Sequence, residues 1–321
     1  MLAEEGHKAR IAFGCAAIAG LYEPVSKDDS RDVLEAAWEA GIRRFDTAPF
    51  YGLGLSEQRV GDFLREKARA SFTLSSKVGR LLEPLDDDMP DPPLGHLRNS
   101  VRFDYSHDGI MRSFEQSLAR LGMERIDILY VHDIGEFAHA PEENARHMRD
   151  LIGSGLRALE RLKAEGVIGG FGLGVNETAV CLELMDHVRF DEILLAGRYT
   201  LLDRSAEAAL LPCAEAAGTR LVIGGAFNSG ILATGPGPDA HFNYEPASPE
   251  IQEKVAAIAA IAGRHGLALP EAAINFPAAH PTVSHILIGT GKRKSLMRNL
   301  EQFGTALPQE FLDEVQPLTV R

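Results

Sequence analysis

The sequence is poor in cysteine and lacks the basic residues that would balance its acidic ones. Cys15, Cys181 and Cys213 lie far apart and form neither a CxxC pair nor an even framework, which is typical of reduced thiols in a cytoplasmic protein. The formal net charge of -13 disfavours nucleic acid and anionic membranes as partners, because both would repel the chain at long range. Small-molecule ligands remain open.

Long apolar runs are also absent. The first ten residues, MLAEEGHKAR, contain no apolar segment of the kind found in a secretory signal, and no later stretch is long enough to cross a bilayer. We therefore predict a cytoplasmic protein that acts on a small-molecule substrate, with no nucleic-acid or membrane partner.

The sequence does contain a regular alternation of short apolar runs with longer amphipathic segments. The apolar runs predict eight strands, at Ile11–Ala19, Arg43–Ala48, Phe72–Val78, Asp127–Asp133, Ile168–Val175, Glu192–Arg198, Arg220–Phe227 and His285–Gly289. The first helix is predicted to be capped by Ser30 and stopped by Gly41. The later helices are predicted at Ser56–Lys67, Asp108–Leu121, Pro141–Glu165, Glu177–Val188, Ala206–Ala217, Pro249–His265 and Ser295–Phe303.

Apolar strands that are each followed by a helix indicate a parallel sheet that helices cover. We predict one domain, residues 1–321, of the α/β class, with the architecture of a closed (β/α)₈ TIM barrel. The alternative is a doubly wound open sheet, which normally carries a glycine-rich nucleotide-binding turn. Two segments resemble nucleotide-binding turns but do not match the motifs. Val175 occupies the position of the third glycine of G-x-G-x-x-G, and Ile286 occupies the position of the first glycine of a P-loop.

In a barrel of this kind, functional side chains collect at the carboxyl ends of the strands. Asp46 ends the second predicted strand, Tyr51 follows it, and Lys77 and His132 lie near the ends of the third and fourth. We therefore expect these four side chains at one rim. Taken singly, Asp46 could be a cap, Tyr51 a packed loop residue and His132 a hydrogen-bonded core residue, whereas a lysine in a covered strand is unusual.

Together the four residue types fit proton transfer at an alcohol or carbonyl oxygen. A tyrosine exchanges protons near neutral pH only if its phenolate is stabilised, which the Lys77 ammonium would do while Asp46 keeps that ammonium charged. His132 would orient the substrate oxygen. The set contains no nucleophile–base pair and no metal-ligand spacing, and the usual companion of such proton transfer is hydride transfer to a nicotinamide. Other histidines, including His139 and His147, are interpreted as ordinary polar loop or helix residues.

The segments FDTAPFYGLGLSEQRVG, SSKVGR and RIDILYVHD resemble the signature segments of the aldo-keto reductase superfamily, and the resemblance extends over nearly the whole chain. It implies a barrel that binds NAD(P) in an extended form, with Tyr51 as the acid/base, Lys77 and Asp46 tuning it, and His132 orienting the substrate. Further stretches, such as LLAGRYTLLD and NSGILATG, are similar to D-threo-aldose 1-dehydrogenases, L-fucose dehydrogenases and pyridoxal 4-dehydrogenases. The substrates of these enzymes form cyclic hemiacetals that are oxidised to lactones.

The same resemblance implies a cofactor site near the last strands. Its candidate residues are Asn176, Tyr199, Ala226, Phe227, Asn228, Ser229, Gly289, Gly291, Lys292, Ser295 and Asn299. Asn176 would hold the nicotinamide carboxamide, and Phe227 or Tyr199 would replace the stacking aromatic residue that Gly225 lacks. A helix cap at Asn176 and a tight turn at Asn228 and Ser229 are competing explanations.

The identity of the cofactor is inferred from the last predicted helix. Ser295 stands where many NADPH-dependent relatives carry arginine, which predicts NAD because a 2'-phosphate would lose its bidentate partner. The basic residues at 292–294 keep NADP possible. Two long segments are expected over the rim: Arg80–Ser106 as a lid or a disordered insertion, and Leu232–Ser248 over the pyrophosphate.

These inferences predict an enzyme that oxidises an aldose or pyridoxal hemiacetal to a lactone with NAD(P). Two alternatives stay open. One is an NADPH-dependent reductase of small aldehydes, and the other is a non-catalytic nicotinamide-binding barrel that regulates a partner. The complete set of four polar residues disfavours the second.

Overall fold

The computed structural model describes residues 10–21, 23–86 and 88–321. The strands are β1 Ile11–Gly14, β2 Arg44–Asp46, β3 Thr73–Val78, β4 Arg80–Pro84, β5 Asn99–Phe103, β6 Ile128–His132, β7 Gly170–Val175, β8 Glu192–Ala196, β9 Arg220–Gly224, β10 His241–Phe242, β11 Glu245–Pro246 and β12 Val283–Ile288. The helices are α1 Lys27–Glu39, α2 Leu55–Leu64, α3 His107–Leu121, α4 Pro141–Asp150, α5 Leu156–Ala164, α6 Ala179–Met185, α7 Leu210–Ala217, α8 Ile231–Thr234, α9 Pro249–Arg264, α10 Leu269–Asn275, α11 Arg293–Gln302 and α12 Gln309–Val315.

Eight parallel strands close into a barrel in the order β1-β12-β9-β8-β7-β6-β3-β2, which confirms the predicted (β/α)₈ architecture. The main apolar core lies between these strands and the helices around them. A smaller cluster of Tyr130, Leu194 and Val222 fills the inside of the barrel. The barrel is therefore packed, and its strand ends are left as the place where a ligand can bind.

The glycine-rich run in β7 is explained by close packing of strands. Gly172 pairs with Glu192 of β8, and a Cβ at Gly172 would lie 1.6 Å from the Glu192 carbonyl oxygen. Gly174 pairs with His132, and a Cβ there would lie 3.3 Å from Cε of Lys77. The glycines thus let β8 approach and leave room for a lysine inside the barrel.

The start of α1 differs from the prediction. Ser26 caps this helix, because its side chain accepts a hydrogen bond from the Asp29 backbone N–H. Ser30 is instead buried in the helix and donates a hydrogen bond to the Ile18 carbonyl. Gly41 follows the end of the helix with a φ of 91°, as its predicted stop role requires.

Three other predicted segments also differ in form. The first strand ends at Gly14, and Ala17–Ala19 forms a 3₁₀ turn. A π-helical turn at Leu151–Gly155 interrupts the helix predicted at Pro141–Glu165, at a point where glycines lower helix propensity. Part of the predicted loop Arg80–Ser106 is the antiparallel hairpin of β4 and β5.

The three cysteines are free thiols, of which Cys15 and Cys181 are buried. Among the helices in the described ranges, none combines the length and apolar character that crossing a membrane requires.

Candidate active site

The carboxyl ends of β2 and β3 join two of the predicted site residues in a buried ion pair. Lys77 Nζ donates to Asp46 Oδ2 at 2.6 Å and to the Thr47 carbonyl at 2.9 Å. The other carboxylate oxygen, Asp46 Oδ1, accepts a hydrogen bond from Ser75 at 2.8 Å. Both side chains of the pair are 1% exposed, so the lysine is held in one place inside the barrel.

Tyr51 and His132 lie beside this ion pair. Tyr51 begins a 3₁₀ turn that follows β2, and Lys77 Nζ lies 4.7 Å from the centre of its ring. The imidazole of His132, at the end of β6, is perpendicular to the phenol ring, with 5.9 Å between the ring centres. The structure therefore brings the four predicted side chains to one rim of the barrel.

The electrostatics of the site favour a charged lysine and a neutral phenol. Burial acts to lower the pKa of Lys77, but Asp46 and Tyr51 outweigh it, and the pKa is raised. Burial raises the pKa of Tyr51 to about 12, although Lys77 acts to lower it. The expected effect of Lys77 is present, but the desolvation of the phenol is larger.

Burial also favours the neutral form of the His132 imidazole. Burial, together with the cations Arg80 and Lys77, holds the pKa of His132 well below its usual range. Its Nδ1 is buried and finds no hydrogen-bond partner in the described part of the chain. The hydroxyl of Tyr105 donates to the His132 carbonyl at 2.8 Å, which fixes the backbone at the end of β6.

A cavity of about 350 Å³ opens in front of these groups. Its lining includes Tyr51 and His132, the aromatic rings of Phe50 and Phe137, and the ion pair of Arg80 with Asp133. The cavity thus combines apolar walls with a few polar groups, as small-molecule sites usually do.

A second cavity, of about 330 Å³, adjoins the first. It extends from Asp46 and Tyr51 to Ser295 and Asn299 on α11. The two cavities have Tyr51 in common, together with Ala16, Leu21 and Tyr244. Two ligands could therefore meet at the phenol.

Most of the predicted cofactor residues line these cavities. Ala226, Phe227, Ser229, Gly289, Ser295 and Asn299 line the second cavity, and Asn176 lines the first. The arrangement fits an extended ligand with polar groups, because amide and hydroxyl side chains alternate with glycine backbone along it.

Four predicted cofactor residues line neither cavity. Tyr199 is buried against Phe276, with 5.2 Å between ring centres, so the structure does not place it for stacking. Asn228 is buried and uses its side chain to accept from Thr200 and to donate to the Gly197 carbonyl. This matches the turn explanation that the sequence left open.

Gly291 and Lys292 lie instead beside a separate surface hollow. Lys292 pairs with Glu23 at 2.7 Å, and Arg293 pairs with Asp32 and Glu39. The basic run is thus largely neutralised by acids of neighbouring segments, which sequence spacing alone does not reveal.

Several residues at the cavities were not predicted from the sequence, among them Tyr244 and Arg298. Tyr244 receives a hydrogen bond from the Asn176 amide at 3.2 Å, and its backbone N–H donates to Ser229 at 3.0 Å. The segment Leu232–Ser248 therefore reaches the junction of the two cavities, and an aromatic residue in this Gly- and Pro-rich stretch was the available signal. Arg298 lines the second cavity, and its place one residue before Asn299 could have indicated it.

His139 and His147 differ from the prediction, since both are buried. Together with Glu143 they place one possible metal-ligand atom each within 4.8 Å of one another. The ring of His139 packs edge-on against Phe103, with 4.6 Å between centres, and His147 packs against Tyr105 in the same way at 4.9 Å. Aromatic packing accounts for this cluster, which lies behind the site.

The sequence profile of the Aldo/keto reductase family matches residues 10–319. The chain belongs to this family. It is therefore an NAD(P)-dependent oxidoreductase, as the resemblance implied.

Characterised relatives match almost end to end. The chain is 43% identical over 312 residues to pyridoxal 4-dehydrogenase from Microbacterium luteolum, covering 94% of this chain and 91% of the relative. It is 39% identical over 308 residues to D-threo-aldose 1-dehydrogenase from a Pseudomonas species, covering 93% and 90%. An aldo-keto reductase structure from Bacillus halodurans shares the fold, with a TM-score of 0.76, 23% identity, and coverage of 97% and 92%.

Proposed function

We propose that the protein is an NAD-dependent dehydrogenase that oxidises the cyclic hemiacetal of an aldose or of pyridoxal to a lactone. The observation that carries the proposal is the buried Asp46–Lys77 pair beside Tyr51, at the junction of two cavities. The names of the two relatives support the substrate class, because pyridoxal and aldoses both form hemiacetals.

The chemistry divides between the cofactor and the side chains. A nicotinamide held in the second cavity would supply the acceptor for the hydride that leaves the hemiacetal carbon. Tyr51, as phenolate, takes the proton of the hemiacetal hydroxyl, so that the substrate loses a hydride and a proton and gains a C=O bond. Lys77 stabilises that phenolate, Asp46 keeps Lys77 charged, and the neutral His132 donates a hydrogen bond to the substrate oxygen.

The second cavity supports NAD as the cofactor. Asn299 and Ser295 would contact the adenosine end. Asn176 lines the adjoining first cavity, which shares Tyr51 with the second, so it could contact the nicotinamide end. Ser295 offers no charge to a 2'-phosphate, and Lys292 and Arg293 are already paired with acids.

Arg298 gives a reason to test NADP as the second candidate, because its guanidinium lines the same cavity. Titration of the protein with NADH and NADPH, followed by fluorescence of the reduced nicotinamide, compares the two. Tighter binding of NADPH would contradict the proposed cofactor and favour the NADPH-dependent reductase.

Tyr51→Phe tests the proposed catalytic role. We expect the wild-type protein to oxidise at least one of L-fucose, D-arabinose, L-xylose, D-galactose and pyridoxal, measured by absorbance of the reduced nicotinamide with NAD and with NADP. The variant should lower kcat by roughly 10²- to 10⁴-fold, because the phenol acts in the transition state. Its affinity for the cofactor should hardly change.

Tyr199→Phe is the matched control, since Tyr199 is also a buried tyrosine but lines neither cavity. It should keep wild-type activity. Equal turnover by the wild-type protein and Tyr51→Phe would remove the catalytic assignment and favour a non-catalytic barrel.

A further inference from the structure

The wall of the first cavity carries an ion pair that the proposed mechanism does not use. Asp133 directly follows His132 at the end of β6, and its carboxylate pairs with Arg80 at the start of β4. The two side chains are only 19% and 9% exposed. Both line the same cavity as Tyr51.

This ion pair is held rigidly. The guanidinium of Arg80 lies 4.1 Å from the centre of the Phe50 ring and 5.0 Å from that of Phe103. Asp133 has a φ of 47°, in the left-handed region that residues other than glycine seldom adopt. Such backbone strain persists where the surroundings impose it, and it is concentrated at functional sites.

Stability alone does not account for the pair. Withdrawing two charges from water costs free energy that their attraction repays only in good geometry, and apolar side chains of similar size often do as well. Contact with a ligand explains an ion pair at the wall of a cavity better than a contribution to stability does.

The position of Asp133 indicates which part of the ligand the ion pair would contact. Asp133 Oδ2 lies 3.5 Å from Nε2 of His132, the nitrogen that faces this wall. If His132 contacts the oxygen that loses its proton, the carboxylate is next to the neighbouring carbon of the substrate. The rings of Phe50 and Phe137 provide apolar surface for the C–H groups of a sugar ring.

We propose that Asp133, fixed by Arg80, accepts a hydrogen bond from the hydroxyl on the carbon next to the reacting carbon, and so selects aldoses with a free 2-hydroxyl. This inference rests on the proposed function and narrows its substrate class. In pyridoxal the carbon next to the reacting carbon carries no hydroxyl, and the acidic phenol lies one ring carbon further away, where it repels a carboxylate when it is ionised. The pair therefore favours aldoses over pyridoxal.

The test compares two sugars and two enzymes. D-arabinose and 2-deoxy-D-ribose differ only in the hydroxyl at carbon 2. In the wild-type protein, loss of that hydroxyl should lower kcat/KM by about 10- to 100-fold, the range for a hydrogen bond to a charged group. In Asp133→Asn the same loss should cost no more than about 3-fold, because the neutral amide oxygen accepts a weaker hydrogen bond than the carboxylate does.

The control variant is Asp127→Asn. Asp127 directly precedes β6, at the end opposite to Asp133, pairs with Arg69 at 2.8 Å, and is similarly buried at 16% exposure. This variant should keep the wild-type difference between the sugars. Thermal unfolding of both variants compares their stability.

Three results would overturn the inference. If Asp133→Asn slows both sugars equally, Asp133 only positions His132. If the wild-type protein does not distinguish the two sugars, or oxidises pyridoxal but neither sugar, the 2-hydroxyl is not recognised. A wild-type protein that does not distinguish the two sugars, or that oxidises pyridoxal but neither sugar, still has the proposed function. A protein that oxidises nothing in the panel contradicts both this inference and the proposed function.

Arg80→Gln is the second variant, for the case that Asp133→Asn does not fold. It removes the charge that fixes the Asp133 carboxylate and should change the ratio of the two kcat/KM values by about 3-fold or more. An unchanged ratio would also overturn the inference.

Discussion

Lys77→Met removes the buried ammonium beside Tyr51 and leaves a side chain of similar length. Nζ of Lys77 lies 4.7 Å from the centre of the phenol ring. At that separation, and with an effective dielectric constant of about 20, one charge stabilises a phenolate by roughly 3.5 kcal/mol. This corresponds to about 2.5 pKa units. Burial raises the pKa of Tyr51 to about 12 even with Lys77 in place, so removal of the ammonium should raise that pKa further.

The consequence for oxidation follows from the fraction of phenolate. Below the pKa that fraction rises tenfold for each pH unit, so wild-type oxidation should increase steadily from neutral to alkaline pH. In the variant the same increase should be displaced to higher pH. A phenolate of higher pKa is also a stronger base, which recovers part of the loss, so we expect kcat/KM to fall by roughly 100-fold at a given pH.

The assay is kcat/KM for the best substrate of the panel, with saturating NAD, from about pH 6 to about pH 10. Lys77→Arg keeps the charge and should restore part of the activity. Lys163→Met breaks a pair of the same length, 2.6 Å to Asp191, at a partly exposed position and should have no effect. Because Asp46 would be left buried without its partner, the double variant Lys77→Met/Asp46→Asn is measured as well. A folded Lys77→Met protein whose kcat/KM equals that of the wild type at each pH would refute the reasoning.

Two further predictions concern packing and the cofactor. Gly172→Ala should lower the free energy of unfolding by about 3 kcal/mol, because the new Cβ would meet the Glu192 carbonyl at 1.6 Å, whereas a Cβ at Gly263 meets nothing within 4 Å. Chemical denaturation measures both, and a Gly172→Ala protein as stable as Gly263→Ala would contradict the packing argument. Ser295→Arg should raise kcat/KM with NADP relative to NAD by about 10-fold or more, since a guanidinium binds a 2'-phosphate in bidentate geometry. An unchanged ratio would show that the adenosine end lies elsewhere.

Much of the fold could be predicted from the sequence, because short buried strands alternate regularly with amphipathic helices along the chain. FTLSSKV predicted a strand over Phe72–Val78, and β3 spans Thr73–Val78. The hairpin of β4 and β5 was missed, because its pairing joins residues on either side of an acidic, Pro-rich stretch. Antiparallel pairing at such a distance leaves no local pattern in the sequence.

The candidate site was predictable to the extent that it lies at strand ends. Asp46, Lys77 and His132 each end or nearly end a strand, so the barrel architecture alone brings them together. Contacts between loops were not predictable in this way. The approach of Tyr244 to Asn176 and the pairing of Lys292 with Glu23 depend on how separate segments fold over one another.

Burial has opposite effects on the two proposed proton-handling groups, and this bears on the direction of the reaction. It raises the pKa of Tyr51 and lowers that of His132, so both side chains are neutral at neutral pH. The charges that remain nearest the phenol are those of Lys77 and Asp46, which balance each other. A neutral phenol is ready to give a proton, as reduction requires, whereas oxidation requires its phenolate. A positively charged ring beside the phenol would lower the pKa of Tyr51 from its value of about 12. The oxidised nicotinamide of NAD carries that charge. The oxidation rate of the proposed dehydrogenase should therefore be measured at saturating NAD.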